Sequence, residues 1–347
     1  MKRVMVRGIG AVSPAGWGVA ALRAALAQGQ PLASEAVSRP GWRTHLPTRA
    51  TPPLTSRPDY ISHPRLRRAS LMTQHLVAAA VEALGKQVDE IQAGKIRLGI
   101  VVSLMAGCVS YSRRFFEEVM QSPATASPMI FPETVFNAPC SHLAAFLNSP
   151  ARSYTLVSDD AGFLNGLSLA ASWLQDGVVD ACLLIGAEEC DWIVLHALNL
   201  FHSHWVHADG AGALYLSAAD AGDSLAELAC ITDVFSFVAN QDPIAAASRM
   251  SRQLKPAGGD NELLVESARG IDRVDQAERL AWADWPGARL APRKLLGEGF
   301  CAAAAWQCVA AIEAISRGEH AAANVSVVGV NQQAVGARFV RAQSGAS

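Results

Sequence analysis

Ser158, Asp159 and Asp160 stand between a short aromatic and β-branched run, Tyr154–Val157, and a stretch to Gly177 that is small and apolar nearly all round. That order predicts a short buried strand, a tight polar corner and a buried helix. Such a corner presents its last residue at a helix N-terminus, where unpaired N–H groups and the helix dipole favour negative charge. Enzymes use corners of this form to hold a nucleophile, and here the corner residue is an aspartate. A carboxylate at that point can do chemistry. It can equally cap the helix, a role worth about 1 kcal/mol that either Asp159 or Asp160 fills.

Other reactive side chains are scattered. The seven cysteines form no CxxC pair, which fits a reducing compartment rather than a disulfide framework. Cys140, Cys182, Cys190, Cys301 and Cys308 fall on predicted strands or helices and read as small buried hydrophobes. Cys108, in a predicted turn, is the candidate free thiol. His202, His204 and His207 form HSHWVH, whose spacing fits no standard zinc site; no metal and no cofactor are expected. Arg65, Arg67 and Arg68 make a basic cluster just ahead of a strong amphipathic helix, Ser70–Leu84.

The elements that must hold these residues alternate. Strands are expected at 1–12, 97–103, 154–157, 180–187 and 209–217, with helices between them. After a soft boundary near residue 220 the alternation resumes: strands at 228–236, 262–266, 325–330 and 337–342, helices at 243–254, 275–282 and 300–315. Residues 127–139 are expected to be extended. This is an α/β pattern with largely parallel sheets, and it divides the chain into related halves, 1–220 and 221–347. Half of the residues are hydrophobic and only 17% are charged, which suits a chain that buries a subunit interface as well as a core. A formal net charge of −2 gives no footing for nucleic acid. No apolar run reaches the roughly 20 residues of a membrane span, and the N-terminus is no signal peptide. A cytoplasmic protein is expected.

Several of these stretches, in order, resemble the β-ketoacyl-acyl-carrier-protein synthases of the elongating type. VRGIGAVSPAGWGVAALRAAL resembles their glycine-rich opening, and SPMIFPETVFN their extended segment ending in Asn137. YTLVSDDAG resembles their nucleophile elbow, LLIGAEE the next strand, ADGAGALYL their glycine turn, and GEGFCAAAAWQCVAAIEAI their second-half helix. The resemblance spans nearly the whole chain. It implies a thiolase-like five-layer α-β-α-β-α sandwich built from two related halves.

The same resemblance shows where the chain departs. The family's reaction needs an elbow cysteine to carry the acyl group and two histidines to assist decarboxylation and stabilise the developing anions. Asp160 occupies the cysteine position, and an aspartyl mixed anhydride is far too reactive to replace a thioester. Counting back from Asp275 and Glu278 places Ser267 at the first histidine. Glu298, after Gly297, takes the second. Lys294 matches a lysine the family keeps in the active site, and Lys294 or Arg269 is the cation available to neutralise Asp160 and Glu298. The paired glycines of the family's C-terminal turn are replaced around Gly329–Gln332.

The resemblance implies a catalytically silent chain-length factor that forms a heterodimer with an active ketosynthase subunit. It would be a component of a β-ketoacyl synthase complex in a type II polyketide or fatty-acid-like system, with aryl polyene synthesis as the narrower expectation. Arg65, Arg67 and Arg68 would meet the acyl carrier protein. Ala106, Phe116, Met129, Ile130, Phe131 and Thr134 would border the partner's acyl tunnel and set chain length. Two alternatives stay open: a decarboxylase, hydrolase or acyltransferase using Asp160, Glu298 and Lys294, and a homodimeric protein that binds an acyl chain or carrier protein.

Overall fold

The computed structural model describes residues 2–43, 45–56, 58–201, 205–218, 224–238, 241–254, 259, 261–330 and 332–342; the side chains of Arg65 and Asp272 lie outside that description. His202, His204 and Asn331, and the boundary expected at 220/221, also fall outside it.

Val4–Ser13 is the spine of the molecule. It pairs antiparallel with Gly210–Ser217 on one side and with Ala226–Ile231 on the other. From Gly210–Ser217 the sheet continues through Ala181–Glu188 and Leu98–Leu104 to Arg152–Val157 at one edge. From Ala226–Ile231 it continues through Gln333–Val340, Ala322–Val328 and Glu262–Val265 to Ala288–Leu290 at the other. One path of hydrogen-bonded strands thus joins both halves. Parallel pairing is confined to each end, Leu98–Leu104 with both of its neighbours and Glu262–Val265 with both of its own. The sheet is therefore mixed rather than largely parallel. Alternation along the sequence misled because Ala322–Val328 and Gln333–Val340 form a hairpin with no helix between them.

Helices pack in three tiers. Leu71–Leu84 lies on the outer face of Val4–Ser13 and Gly210–Ser217. The approach is so close that a methyl group at Gly8 or Gly10 would sit 1.9 or 2.0 Å from the Ala83 or Ala79 carbonyl oxygen, so only glycine fits there. Ala161–Gln175 and Phe300–Ser316 form the middle tier, touching strands of both halves and each other. Phe300–Ser316 is buried nearly all round, which its run of small residues allows. Ile244–Leu254 and Asp272–Ala281 cover the far face of the second half, on Gln333–Val340 and Ala322–Val328. Helix, sheet, helix, sheet, helix is the five-layer order that the resemblance implies. Among the described residues no helix is long and apolar enough to cross a membrane.

Two expectations fail locally. Residues 127–139 are not extended: Phe131–Thr134 is a 3₁₀ turn, and Ala138 begins a helix that runs to Phe146. Proline at the second position of each piece is what sequence alone reads as extended, although proline is equally at home in a first helical turn. Arg152–Val157 is a strand, but not a buried one. Among the described strands it has a neighbour on one side only, and Tyr154 is 56% and Val157 54% exposed.

Candidate functional site: a buried ion cluster at the elbow

The corner after Val157 turns as expected, and its two aspartates divide the work. Asp159 accepts from the Ala161 N–H through Oδ1 at 3.2 Å, which caps the helix. Asp160 is thereby released to point inward, and it is completely buried. Arg269 Nη2 donates to its Oδ2 at 2.6 Å, and Arg293 Nη1 lies 2.7 Å from the same oxygen. Burial by itself would raise the Asp160 carboxyl, but the two guanidiniums overcome it and hold the group at about 2.

Glu298 completes the cluster. Its backbone is pinned like a strand residue: its N–H donates to the Val206 carbonyl at 2.8 Å and its carbonyl accepts from Ala208 N–H at 2.9 Å. Its carboxylate meets Arg293 Nη1 at 3.0 Å and Arg269 Nη1 at 3.2 Å, and takes the Phe300 N–H at 2.7 Å. Two arginines and two carboxylates thus alternate around one buried point. Two charges of each sign balance, which is the condition under which such groups tolerate burial. Flanking Asp160 and Glu298 lift the Arg269 guanidinium above its ordinary value against the opposing effect of burial.

Each arginine is set by a neighbour. Arg293 donates through Nε and Nη2 to Gln307 Oε1 at 3.2 and 2.9 Å, and Gln307 in turn donates to the carbonyls of Val265 and Ser326. Arg269 donates through Nη2 to the Val328 carbonyl at 2.9 Å, and its backbone N–H donates to Asp275 at 3.1 Å. Ser267 is buried but committed elsewhere. Its N–H and Oγ both donate to Glu278 at 3.0 Å, while its Oγ accepts from Val328 N–H at 3.1 Å. Burial raises the Glu278 carboxyl to about 7 even against hydrogen bonds from Ser326 and Ser267.

Lys294 requires a correction. It is exposed, and the cation inside the site is its neighbour Arg293. On the short helix Pro292–Leu296 a shift of one residue turns a side chain by about 100°, so the register of this pair decides which cation enters. Gln307 had no signal in the sequence, lying in an alanine-rich helix that reads as pure packing. Arg269 was legible as a neutralising cation; its double contact was not.

The six residues expected at a tunnel border divide. Phe116 and Thr134 line one open cavity of about 320 Å³ with Ser112, Phe115 and Val119. Phe131 stacks at a tilt on Phe115 at 5.4 Å and is exposed, as is Met129. Ile130 is buried, and Ala106 is half-buried with its N–H donating to Glu188 at 3.2 Å. Arg67 and Arg68 are exposed. Cys108 is no free nucleophile: it is buried beside Ser70 Oγ, and burial pushes its thiol up to about 12. Among the described residues no cluster of His, Cys, Asp or Glu could hold a metal; His207 packs against Trp205 and Phe300.

Comparison with known proteins agrees with this architecture. Residues 159–234, which begin at the elbow, match the family model of 3-oxoacyl-[acyl-carrier-protein] synthase III. No curated protein matches the sequence. Among solved structures, a type II polyketide acyl carrier protein in complex with its hexaketide-bound ketosynthase aligns with a TM-score of 0.81 at 17% identity, covering 98% of this chain and 99% of that one. The ishigamide ketosynthase/chain length factor aligns at 0.79 and 19% identity, covering 98% and 100%. The ketosynthase ApeO in complex with its chain length factor ApeC, from Xenorhabdus doucetiae, aligns at 0.80 and 14% identity, covering 98% of each chain. The fold of this chain is therefore thiolase-like, the fold it shares with these solved structures.

Proposed function

We propose that the chain is a non-catalytic ketosynthase-like subunit, a chain-length factor, that pairs with an active β-ketoacyl synthase and closes that partner's acyl tunnel. The observation that carries this reading is the buried cluster of Asp160, Arg269, Glu298 and Arg293. A nucleophile must be reachable and a general base must be able to take a proton. Here Asp160 is buried and held ionised by two arginines; Ser267 has given its hydroxyl to Glu278. The proposed alternative chemistry through Asp160, Glu298 and Lys294 loses its footing for the same reason.

Two features support pairing. Arg152–Val157 ends the sheet with one side unpaired among the described strands. Close by in sequence lie Met129, Phe131, Val135 and Phe136, all well exposed. An uncovered strand edge with apolar neighbours is unstable in isolation and suits a partner that continues the sheet. The Phe116–Thr134 cavity would then abut the partner's tunnel, with Ala106, Met129, Ile130 and Phe131 around its mouth. Arg65, Arg67 and Arg68 would receive the acyl carrier protein. Solved relatives include ketosynthases in complex with a carrier protein and with a chain length factor. The narrower assignment is a type II polyketide-like system of the aryl polyene kind, in the cytoplasm.

Co-expression with the ketosynthases of the same genome, followed by affinity capture and product-length analysis, tests the reading. Capture of one ketosynthase is expected, and Met129→Trp or Ile130→Ala should shift product length while the partner's acylation is unchanged. A well-behaved homodimer that ignores every ketosynthase would overturn it.

A further inference from the structure

Between residues 36 and 75 the chain carries seven arginines, no lysine and a single acid, Asp59, although the whole protein has a formal net charge of −2. Part of this strip folds against the helix Trp192–Asn199. The Arg39 guanidinium lies 4.6 Å from the Trp42 ring centroid and 5.1 Å from that of Trp192. His196 meets both indoles edge-on, at 5.1 and 6.2 Å. Arg39 is thus held between two aromatic faces, its charge fixed in place before any partner arrives. Around this stack the surface is apolar and open: Trp42 is 49% exposed, Leu200 81% and Phe201 78%. Leu200 lies four residues beyond His196, on the same flank of that helix. Arg43 is exposed beside Trp42.

This platform adjoins the basic cluster already described. Tyr111 donates its hydroxyl to the Arg68 carbonyl at 2.6 Å. Two residues on, Arg113 pairs with Asp191 at 3.0 Å and lies 5.9 Å from the Trp192 ring. Arg68 and the stacked arginine therefore flank the first turns of one helix, Val109–Gln121.

We infer that Arg39, Trp42, Arg43, Leu200 and Phe201 form a second half of the carrier-protein docking face, receiving an acidic helix that bears an exposed apolar side chain; this rests on the proposal that a carrier protein docks here at all. Guanidiniums alone, with no ammonium among them, favour carboxylates, which they grip through two parallel N–H donors. The exposed indole and the Leu200–Phe201 pair supply the apolar area that charge by itself does not. An anionic membrane is the competing occupant.

The test is fluorescence anisotropy with a labelled, phosphopantetheinylated type II acyl carrier protein from the same genome, titrated with the full chain together with any ketosynthase that co-purifies. Arg43→Glu is expected to weaken binding at least fivefold and to flatten its salt dependence. Leu200→Ser with Phe201→Ser is expected to weaken it similarly with the salt dependence kept, circular dichroism being unchanged in each case. Should Arg67→Glu with Arg68→Glu weaken binding while those variants stay within twofold of wild type, the second half is overturned and docking at the first stands. Should the wild type bind no carrier protein, both fall. Should Arg43→Glu leave carrier binding intact but abolish binding to phosphatidylserine vesicles, the face belongs to a membrane and the inference is overturned.

Discussion

At the scale of single residues, the elbow is held by charges that depend on one another. Asp160 alone would be a buried charge with no partner, and so would Arg293 alone; each is tolerated because the others are present. Removing one partner of a buried ionic group costs about 3–5 kcal/mol, whereas replacing a whole cluster by packed apolar residues is often close to neutral. Arg293→Met should therefore lower stability by about 3–5 kcal/mol, read from the urea midpoint at constant slope. Lys294→Met, one position away but on the surface, should stay within about 0.5 kcal/mol. Equal effects at the two positions would sink the assignment of Arg293 to the cluster. Sequence alone singles out Lys294 and passes over Arg293, since nothing local distinguishes which neighbour faces inward; that depends on how Pro292–Leu296 docks on Phe300–Ser316.

At the scale of elements, strand Arg152–Val157 does two jobs. One side of it, with Leu98–Leu104, delivers the elbow to the core. The other ends the sheet. Tyr154 and Val157 look like core residues in the sequence because β-branched and aromatic types mark a strand without saying whether a neighbour covers it. Their exposure was legible only in the sheet order. In contrast, the elbow and both middle helices could be read directly, because each rests on a local constraint, a cap or a small-residue run. Gly8 and Gly10 read as a turn, and their close approach to Leu71–Leu84 comes only from the packing. If this edge is the pairing surface, Val157→Lys should weaken association with the captured ketosynthase at least tenfold. The lone chain should unfold at an unchanged temperature, because Val157 already lies in water. Size-exclusion chromatography with light scattering reads both. An undiminished complex would move the interface elsewhere.

At the scale of the whole molecule, the ion cluster ties together distant parts of the chain, Asp160 with Arg269, Arg293 and Glu298. Around it the fold buries further carboxyls in which the effect of burial outweighs that of their hydrogen-bond donors. Burial lifts Glu188 to about 8 against the N–H groups of Met105 and Ala106, and Glu189 and Glu278 to about 7. Each of these has a folded value above its ordinary 4.5. Its contribution is fully present below that ordinary value and is lost as pH rises through 7 to 8. Asp160 runs the other way: held at about 2 against an ordinary 3.8, it contributes above 3.8 and loses that only as pH falls through about 2. Between pH 5 and 8.5 the Asp160 contribution is therefore constant, and the raised carboxyls lower stability as pH rises. His75, which burial holds at about 3 against an ordinary 6.5, opposes them up to about pH 6.5. The melting temperature should fall across that range, less steeply below about pH 6.5 than the three glutamates alone would give. Glu278→Gln keeps an acceptor for Ser267 and removes one titrating proton, so it should flatten the fall without abolishing it. A melting temperature that rises with pH, or a variant with an unaltered slope, would mean that these carboxyls are ionised in the folded chain and that the cluster's two arginines reach further than their direct contacts.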